Sequence, residues 1–267
     1  MHGRPSSLAH ALEAAFAAVA AVHRLMSFHD AASDVSRLNR DALHAPVRVD
    51  PRTWSVLAAA RRVSAASSGL FDVTVAALLQ QWGRLPARAG APRPDSRANW
   101  QDIELAANGT VRFRRPLTID LGGIAKGFAV DEAIGAARDA GAESVFVNAG
   151  GDMRASGGRG ERVHVRHPMR SGRWIDAGVL REAALASSSG GGVPPGPHVD
   201  PRRRCPAAAF DGVTVRARTC MIADALTKVM LAAPDLAPEV LGAFDAEAFA
   251  VSGDRVVACR PGVARAA

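Results

Sequence analysis

Apolar positions recur at helical spacing over residues 8–25, over 53–67 and again over 127–140 and 221–232, which predicts four helices. The second run stops at Gly69, a residue suited to the left-handed turn that ends helices. Between the first two lies a polar segment, 27–40, whose turn formers Asp30 and Ser33 predict a connection. Short strands are predicted at 101–106 and 110–114, joined by the hairpin dipeptide Asn108–Gly109, and at 117–121, 144–148, 162–166, 174–179 and 212–218. A closing hairpin falls at 248–258. Residues 84–99, rich in Pro, Arg, Gly and Ala, read as an exposed excursion, and 187–197, rich in Ser, Gly and Pro, as a loop. Strands and helices alternate too irregularly for a repeat or a doubly wound sheet. The pattern therefore predicts one α+β domain over 1–267, a mixed sheet core flanked by helices.

Composition narrows the function. The chain has 267 residues, 48% of them hydrophobic, enough for a sizeable core. A net charge of +7 invites a polyanion as partner, but the arginines are scattered in pairs, aromatics are only 5% and tyrosine is absent. A stacking surface for single-stranded nucleic acid is therefore not expected. The three cysteines, Cys205, Cys220 and Cys259, lack CxxC spacing, which argues against a disulfide framework or a zinc site. No run of 18 uninterrupted apolar residues predicts a transmembrane segment, and residues 8–22 lack the features of a secretory signal. The expected compartment of the chain as given is cytoplasmic. A trimmed N-terminus would leave a periplasmic or membrane-anchored location open.

The most informative stretch is Ile119-Asp120-Leu121-Gly122-Gly123-Ile124-Ala125-Lys126-Gly127. A carboxylate meets two adjacent glycines, then a lysine, at the start of a predicted helix. Glycines without Cβ let a backbone approach a ligand closely, and helix-start N–H groups with an ammonium suit a phosphate. Of 33 basic residues only Lys126 and Lys228 are lysines. In so arginine-biased a chain they mark places that need a compact point charge. Asp224 lies in the fourth helix among apolar Ala223, Ala225, Leu226 and Val229. A carboxylate there needs a partner, and a cation fits.

Five segments in order resemble the ApbE family of FAD:protein FMN transferases: Met26–Asp30 with Ser36–Asn39, Gly69–Val75, Asp120–Gly127, Val147–Asp152 and Ala223–Thr227. The resemblance covers Leu8 to about Ala258 and implies an ApbE-like fold with a largely antiparallel sheet. It also implies Mg²⁺-dependent transfer of FMN from FAD to a Thr or Ser hydroxyl of an acceptor flavoprotein, with release of AMP. Under it, Ala125 offers a carbonyl to Mg²⁺ and Asp224 a carboxylate, with Thr227 the candidate hydroxyl ligand beside them. Met26, Phe71, Asp72, Thr74, Asp120, Gly122, Gly123, Lys126, Asn148, Gly150, Gly151 and Asp152 fall on the FAD-binding segments. His198, before Asp200-Pro201-Arg202, falls near the family's proton-accepting histidine, although it stands two positions rather than three before the aspartate.

A second departure concerns the metal. Many members carry a threonine four residues after the aspartate, where this chain has Lys228. Either Thr227 reaches the ion by a shifted geometry, or Lys228 contacts phosphate directly; both positions face Asp224 on a helix. These departures also admit an FAD-binding protein without transfer activity. A nicotinamide or FAD oxidoreductase fits poorly, because Gly122-Gly123 followed by Gly127 lacks GxGxxG spacing.

Overall fold

The computed structural model describes residues 5–87, 93–191 and 196–259. In chain order the elements are α1 (Pro5–Met26), α2 (Asp34–Asp41), β1 (Val47–Arg48), α3 (Pro51–Ala66), α4 (Ala76–Gln81), β2 (Ile103–Leu105), β3 (Thr110–Phe113), α5 (Ala125–Asp139), β4 (Val145–Ala149), β5 (Asp152–Ser156), β6 (Glu161–Arg166), β7 (Trp174–Leu180), β8 (Ala183–Ser189), β9 (Val199–Asp200), β10 (Cys205–Pro206), β11 (Gly212–Ala217), α6 (Cys220–Ala232), α7 (Ala237–Ala243), β12 (Glu247–Ser252) and β13 (Arg255–Cys259). Six strands form the main sheet in the order β13-β12-β11-β8-β5-β4, every neighbouring pair antiparallel. A small sheet β1-β3-β2 and the pairs β6–β7 and β9–β10 are antiparallel too. The expected mixed α/β architecture is present, with no parallel pair among the described residues.

The central strand β8 shows how the layers are divided. Its successive side chains point to opposite faces, as the pleat requires. Leu185 packs with Met153, Val163, Val165 and Leu180 beneath the β6–β7 hairpin. Ala186 joins the larger core on the other face, with Leu38, Val56, Ile124, Leu226 and Met230. That larger core lies between the sheet and α2, α3 and α6.

Local chemistry sets the helix starts. The Ser33 side chain accepts from Ser36 N at 3.1 Å and begins α2 inside a segment expected to be only a connection. Asp50 accepts from Arg52 N at the start of α3, with Pro51 in the first turn. α6 is capped from outside: Asp131 of α5 accepts from Cys220 N and Met221 N, both at 2.9 Å, and binds Arg154.

Four expectations change. Residues 117–121 are not a strand, because Asn39 takes both main-chain groups of Ile119, donating to its carbonyl at 2.9 Å and accepting from its N–H at 2.7 Å. A side chain here does what a neighbouring strand would do, and it fixes the approach to the glycine turn. The helix after that turn begins at Ala125. The loop expected from Ser187 starts later, since β8 runs to Ser189; residues 192–195 of that loop lie outside the described residues, as do 88–92 of the excursion and 1–4. Finally, Leu8–Met26 is long and apolar enough by composition to cross a membrane, with a mean hydropathy of 1.3. Length and composition alone do not establish a span, and this helix packs Ala11 and Ala15 against Ala133, Ile134 and Ala137 of α5.

Candidate active site

The glycine turn 121–124, α5 and α6 meet on one side of the main sheet. A Cβ added to Gly127 would lie 2.2 Å from the Cys220 carbonyl oxygen and 2.9 Å from Asp224 Cβ, so glycine is required for α5 and α6 to approach this closely. That contact lets Gly127 N donate to Asp224 Oδ2 at 3.2 Å. Asp120, expected at a strand end, accepts from Gly122 N at 3.1 Å and folds the turn back on itself.

These elements form one wall of a cleft of about 510 Å³. Phe71, Asp72, Asp120, Gly122, Gly123, Lys126, His198 and Lys228 line it, together with Ser187–Ser189 at the end of β8. Both lysines of the chain thus open into one cavity. Lys126 Nζ lies 2.6 Å from Asp152 Oδ2, and no hydroxyl or main-chain N–H among the described residues reaches that fully buried carboxylate. Burial works against the charged form of Lys126, but Asp224 and Asp152 outweigh it and its pKa is raised. Burial, then the neighbouring Asp224, also raise Asp152, against the pull of Lys126. Both partners therefore move upward, whereas pairing alone would lower the acid. The fully buried side of the pair explains this: desolvation dominates at Asp152, and the half-exposed lysine keeps its charge.

Lys228 reaches back one turn of α6 to Asp224 Oδ1 in a short ion pair. The same ammonium donates to Thr227 Oγ1 at 3.1 Å and Ser188 Oγ at 3.2 Å. Thr227 donates its own proton to the Asp224 carbonyl at 2.7 Å, and its oxygen lies 2.8 Å from Ser188 Oγ. His198 lines the same cleft, within electrostatic reach of Lys228. Burial, followed by Lys228, lowers its pKa to about 4, so the imidazole is neutral near pH 7. Burial raises Asp72 and Asp120, though each accepts main-chain N–H bonds.

The Mg²⁺ donors implied by the resemblance do not fit a dication in this arrangement. Asp224 has one oxygen on Gly127 N and the other on Lys228. Ala125 is the first residue of α5, and its carbonyl enters the hydrogen-bond ladder of that helix. The ammonium of Lys228 stands among the oxygens a metal would use.

The other expected residues separate. Asp72 is buried and accepts from Thr74 N at 2.8 Å and Trp100 N at 3.1 Å, fixing the loop that presents Phe71; Thr74 itself does not line the cleft. Met26 is buried in the main core. Asn148, Gly150 and Gly151 line a neighbouring cleft of about 830 Å³ that shares Ser187–Ser189 with the first. There Asn148 accepts from Gly151 N at 3.0 Å and shapes the β4–β5 turn. Sequence reasoning passed over Ser188, whose signal was the serine triplet ending an apolar strand, and Asp131, which carried no local signal because its partners lie far along the chain.

The family model described as the ApbE family matches residues 3–250. The chain belongs to the ApbE family. Among curated relatives it is 28% identical over 247 residues to the FAD:protein FMN transferase of Haemophilus influenzae, covering 82% of this chain and 71% of that one. It is 27% identical over 227 residues to that of Vibrio cholerae, covering 77% and 68%. Among solved structures, the ApbE protein of Thermotoga maritima superposes with a TM-score of 0.80 at 25% identity, covering 97% of this chain and 90% of that one. The flavin transferase ApbE of Vibrio cholerae gives 0.78 at 24% identity, covering 96% and 89%.

Proposed function

We infer that the protein is an FAD:protein FMN transferase. One observation supports this above all: in a chain with only two lysines, both line the cleft formed by the glycine turn, together with His198. Two compact ammonium groups over a Cβ-free turn suit a pyrophosphate, which distinguishes FAD from FMN. In this reading Phe71 and the Asp72–Thr74 loop contact the flavin side. Gly122, Gly123, Lys126 and Lys228 hold the pyrophosphate, with Asp120 and Asp152 positioning the turn and Lys126. Asn148, Gly150 and Gly151 border the path to the neighbouring cleft, and Met26 supports the flavin wall from the core.

The chemistry follows from these groups. A Thr or Ser hydroxyl of the acceptor attacks the FMN-side phosphorus. The new O–P bond forms as the bridging P–O bond breaks, and AMP leaves with that electron pair. His198, neutral near pH 7, takes the hydroxyl proton. The fixed ammonium groups stabilise the charge that develops on the phosphate oxygens. Mg²⁺ dependence is part of what the resemblance implies; no step here is routed through a metal, because Asp224 and Thr227 are already engaged by Gly127 and Lys228.

The test is incubation of the protein with FAD and an acceptor domain carrying a target threonine, followed by denaturing electrophoresis. Flavin fluorescence that stays with the acceptor band, and is lost when FMN replaces FAD, is the expected result. A band that is never fluorescent contradicts the reading.

A further inference from the structure

We propose that the Lys228 ammonium is the resident cation of this site, standing where the resemblance puts Mg²⁺, so that FAD binds without a divalent ion. The proposal rests on the reading of the cleft as an FAD site. Three observations carry it.

The first is the donor set. Lys228 Nζ engages Asp224 Oδ1, Thr227 Oγ1 at 3.1 Å and Ser188 Oγ at 3.2 Å. One carboxylate and two hydroxyl oxygens are the hard donors a small cation takes, and an ammonium has three N–H groups to meet them. The other Asp224 oxygen is held by Gly127 N, and the Thr227 proton by the Asp224 carbonyl. A second cation would have to displace the first.

The second is charge. Asp152 and Asp224 are fully buried, and Lys126 and Lys228 balance them one for one. In the site without FAD, adding a dication would set two further positive charges beside two ammonium groups whose charge the carboxylates already match. With threonine at position 228 the same two carboxylates would share one ammonium, and a buried carboxylate would need another cation.

The third is placement. The Lys228 side chain keeps 16% exposure, toward the cleft. A Cβ on Gly123 would lie 3.4 Å from Lys228 Cε and 3.5 Å from Phe71, so the lysine stem packs against the bare glycine turn. From there the ammonium exchanges one hydroxyl acceptor for a phosphate oxygen without leaving Asp224.

The experiment is a fluorescence titration of FAD into the full chain, in EDTA and in Mg²⁺, with calorimetric titration of MgCl₂ into the FAD complex. The parent is expected to bind FAD within about twofold of the same affinity in both buffers, and to show no magnesium heat. Lys228→Thr is expected to lose about tenfold or more in EDTA, to regain most of it in Mg²⁺, and to acquire a magnesium heat. Lys228→Met, which offers neither charge nor ligand, should lose affinity with no rescue by Mg²⁺. Circular dichroism confirms that each variant is folded; if neither is, the parent comparison decides. A parent that loses about tenfold in EDTA and recovers in Mg²⁺ overturns the cation assignment and leaves the FAD site standing. A parent that binds no FAD in either buffer overturns the reading of the cleft and the assignment with it.

Discussion

Gly127 and Cys220 sit so close that a single methyl group at position 127 would come within 2.2 Å of the Cys220 carbonyl oxygen. Main chain stands on both sides of this contact, so no side-chain rotation relieves it. Gly127→Ala is expected to push α6 off α5 and to cost about 2–4 kcal/mol, toward the upper range for overpacking. Because Gly127 N also holds Asp224 Oδ2, FAD affinity should fall along with stability. Urea denaturation with a parallel FAD titration checks this; a variant of parental stability and affinity would contradict the close approach.

Elements with a clear apolar period or a turn signal were readable in the sequence, whereas β8, seven residues long, was not, because its apolar run passes into the serines read as a loop. α1, α3, α5, α6 and the strands β2, β3, β6, β7 and β11 lie close to where periodicity and turn residues put them. α2 was missed because its eight residues are mostly polar and its identity rests on the Ser33 cap. β5 was missed because Gly150 and Gly151 read as a strand end, when their positive φ angles of 68° and 104° turn the chain directly into the next strand. The strand expected at 117–121 failed for a tertiary reason, since Asn39 satisfies Ile119 from 80 residues away. Of the site, the two lysines and the glycine turn were legible as chemistry. Ser188 and the lock of Lys228 onto Asp224 depend on how β8 and α6 pack, which no local pattern records.

Asn39 gives a second prediction. Asn39→Ala would leave the buried N–H and carbonyl of Ile119 without partners, at about 1–3 kcal/mol for each unsatisfied group. A total loss of about 2–4 kcal/mol by thermal or urea unfolding is expected, with weakened FAD binding through the loosened Asp120 turn. A loss below about 0.5 kcal/mol, the scale of a neutral surface change, would show that Asn39 does not hold this segment.

Asp131 joins two helices, since it caps α6 from a position on α5 and binds Arg154. Asp131→Ala should destabilise the fold by about 1–3 kcal/mol, more than a simple cap, because Arg154 also loses its partner. Asp131→Asn retains one acceptor oxygen and should fall between the two. Equal stabilities for Ala and Asn would remove the capping role.

His198 supplies the pH dependence. Burial and Lys228 hold its pKa near about 4, below the unfolded value of 6.5. Between those values the unfolded chain binds more protons at this residue than the folded one. Stability from this group is therefore complete above pH 6.5 and lost progressively as pH falls toward 4, by about 1–3 kcal/mol in all. Lys126 and Asp224 also face it, the first reinforcing and the second opposing the shift. Unfolding followed across this window should show a slope that His198→Gln reduces; an unchanged slope would contradict it. Transfer by the same variant should fall by about 10²–10⁴-fold, the usual range for a lost general base, with FAD affinity nearly retained.

The central claim is that this cleft passes FMN from the pyrophosphate of FAD to a protein hydroxyl. Its most direct measurement counts both products of one reaction, AMP by chromatography and flavinylated acceptor by intact-protein mass spectrometry. The account predicts one AMP for each acceptor molecule that gains one FMN, and negligible AMP when the acceptor threonine is replaced by alanine. AMP released at the same rate without a hydroxyl acceptor, or FAD bound tightly with neither product formed, would contradict it.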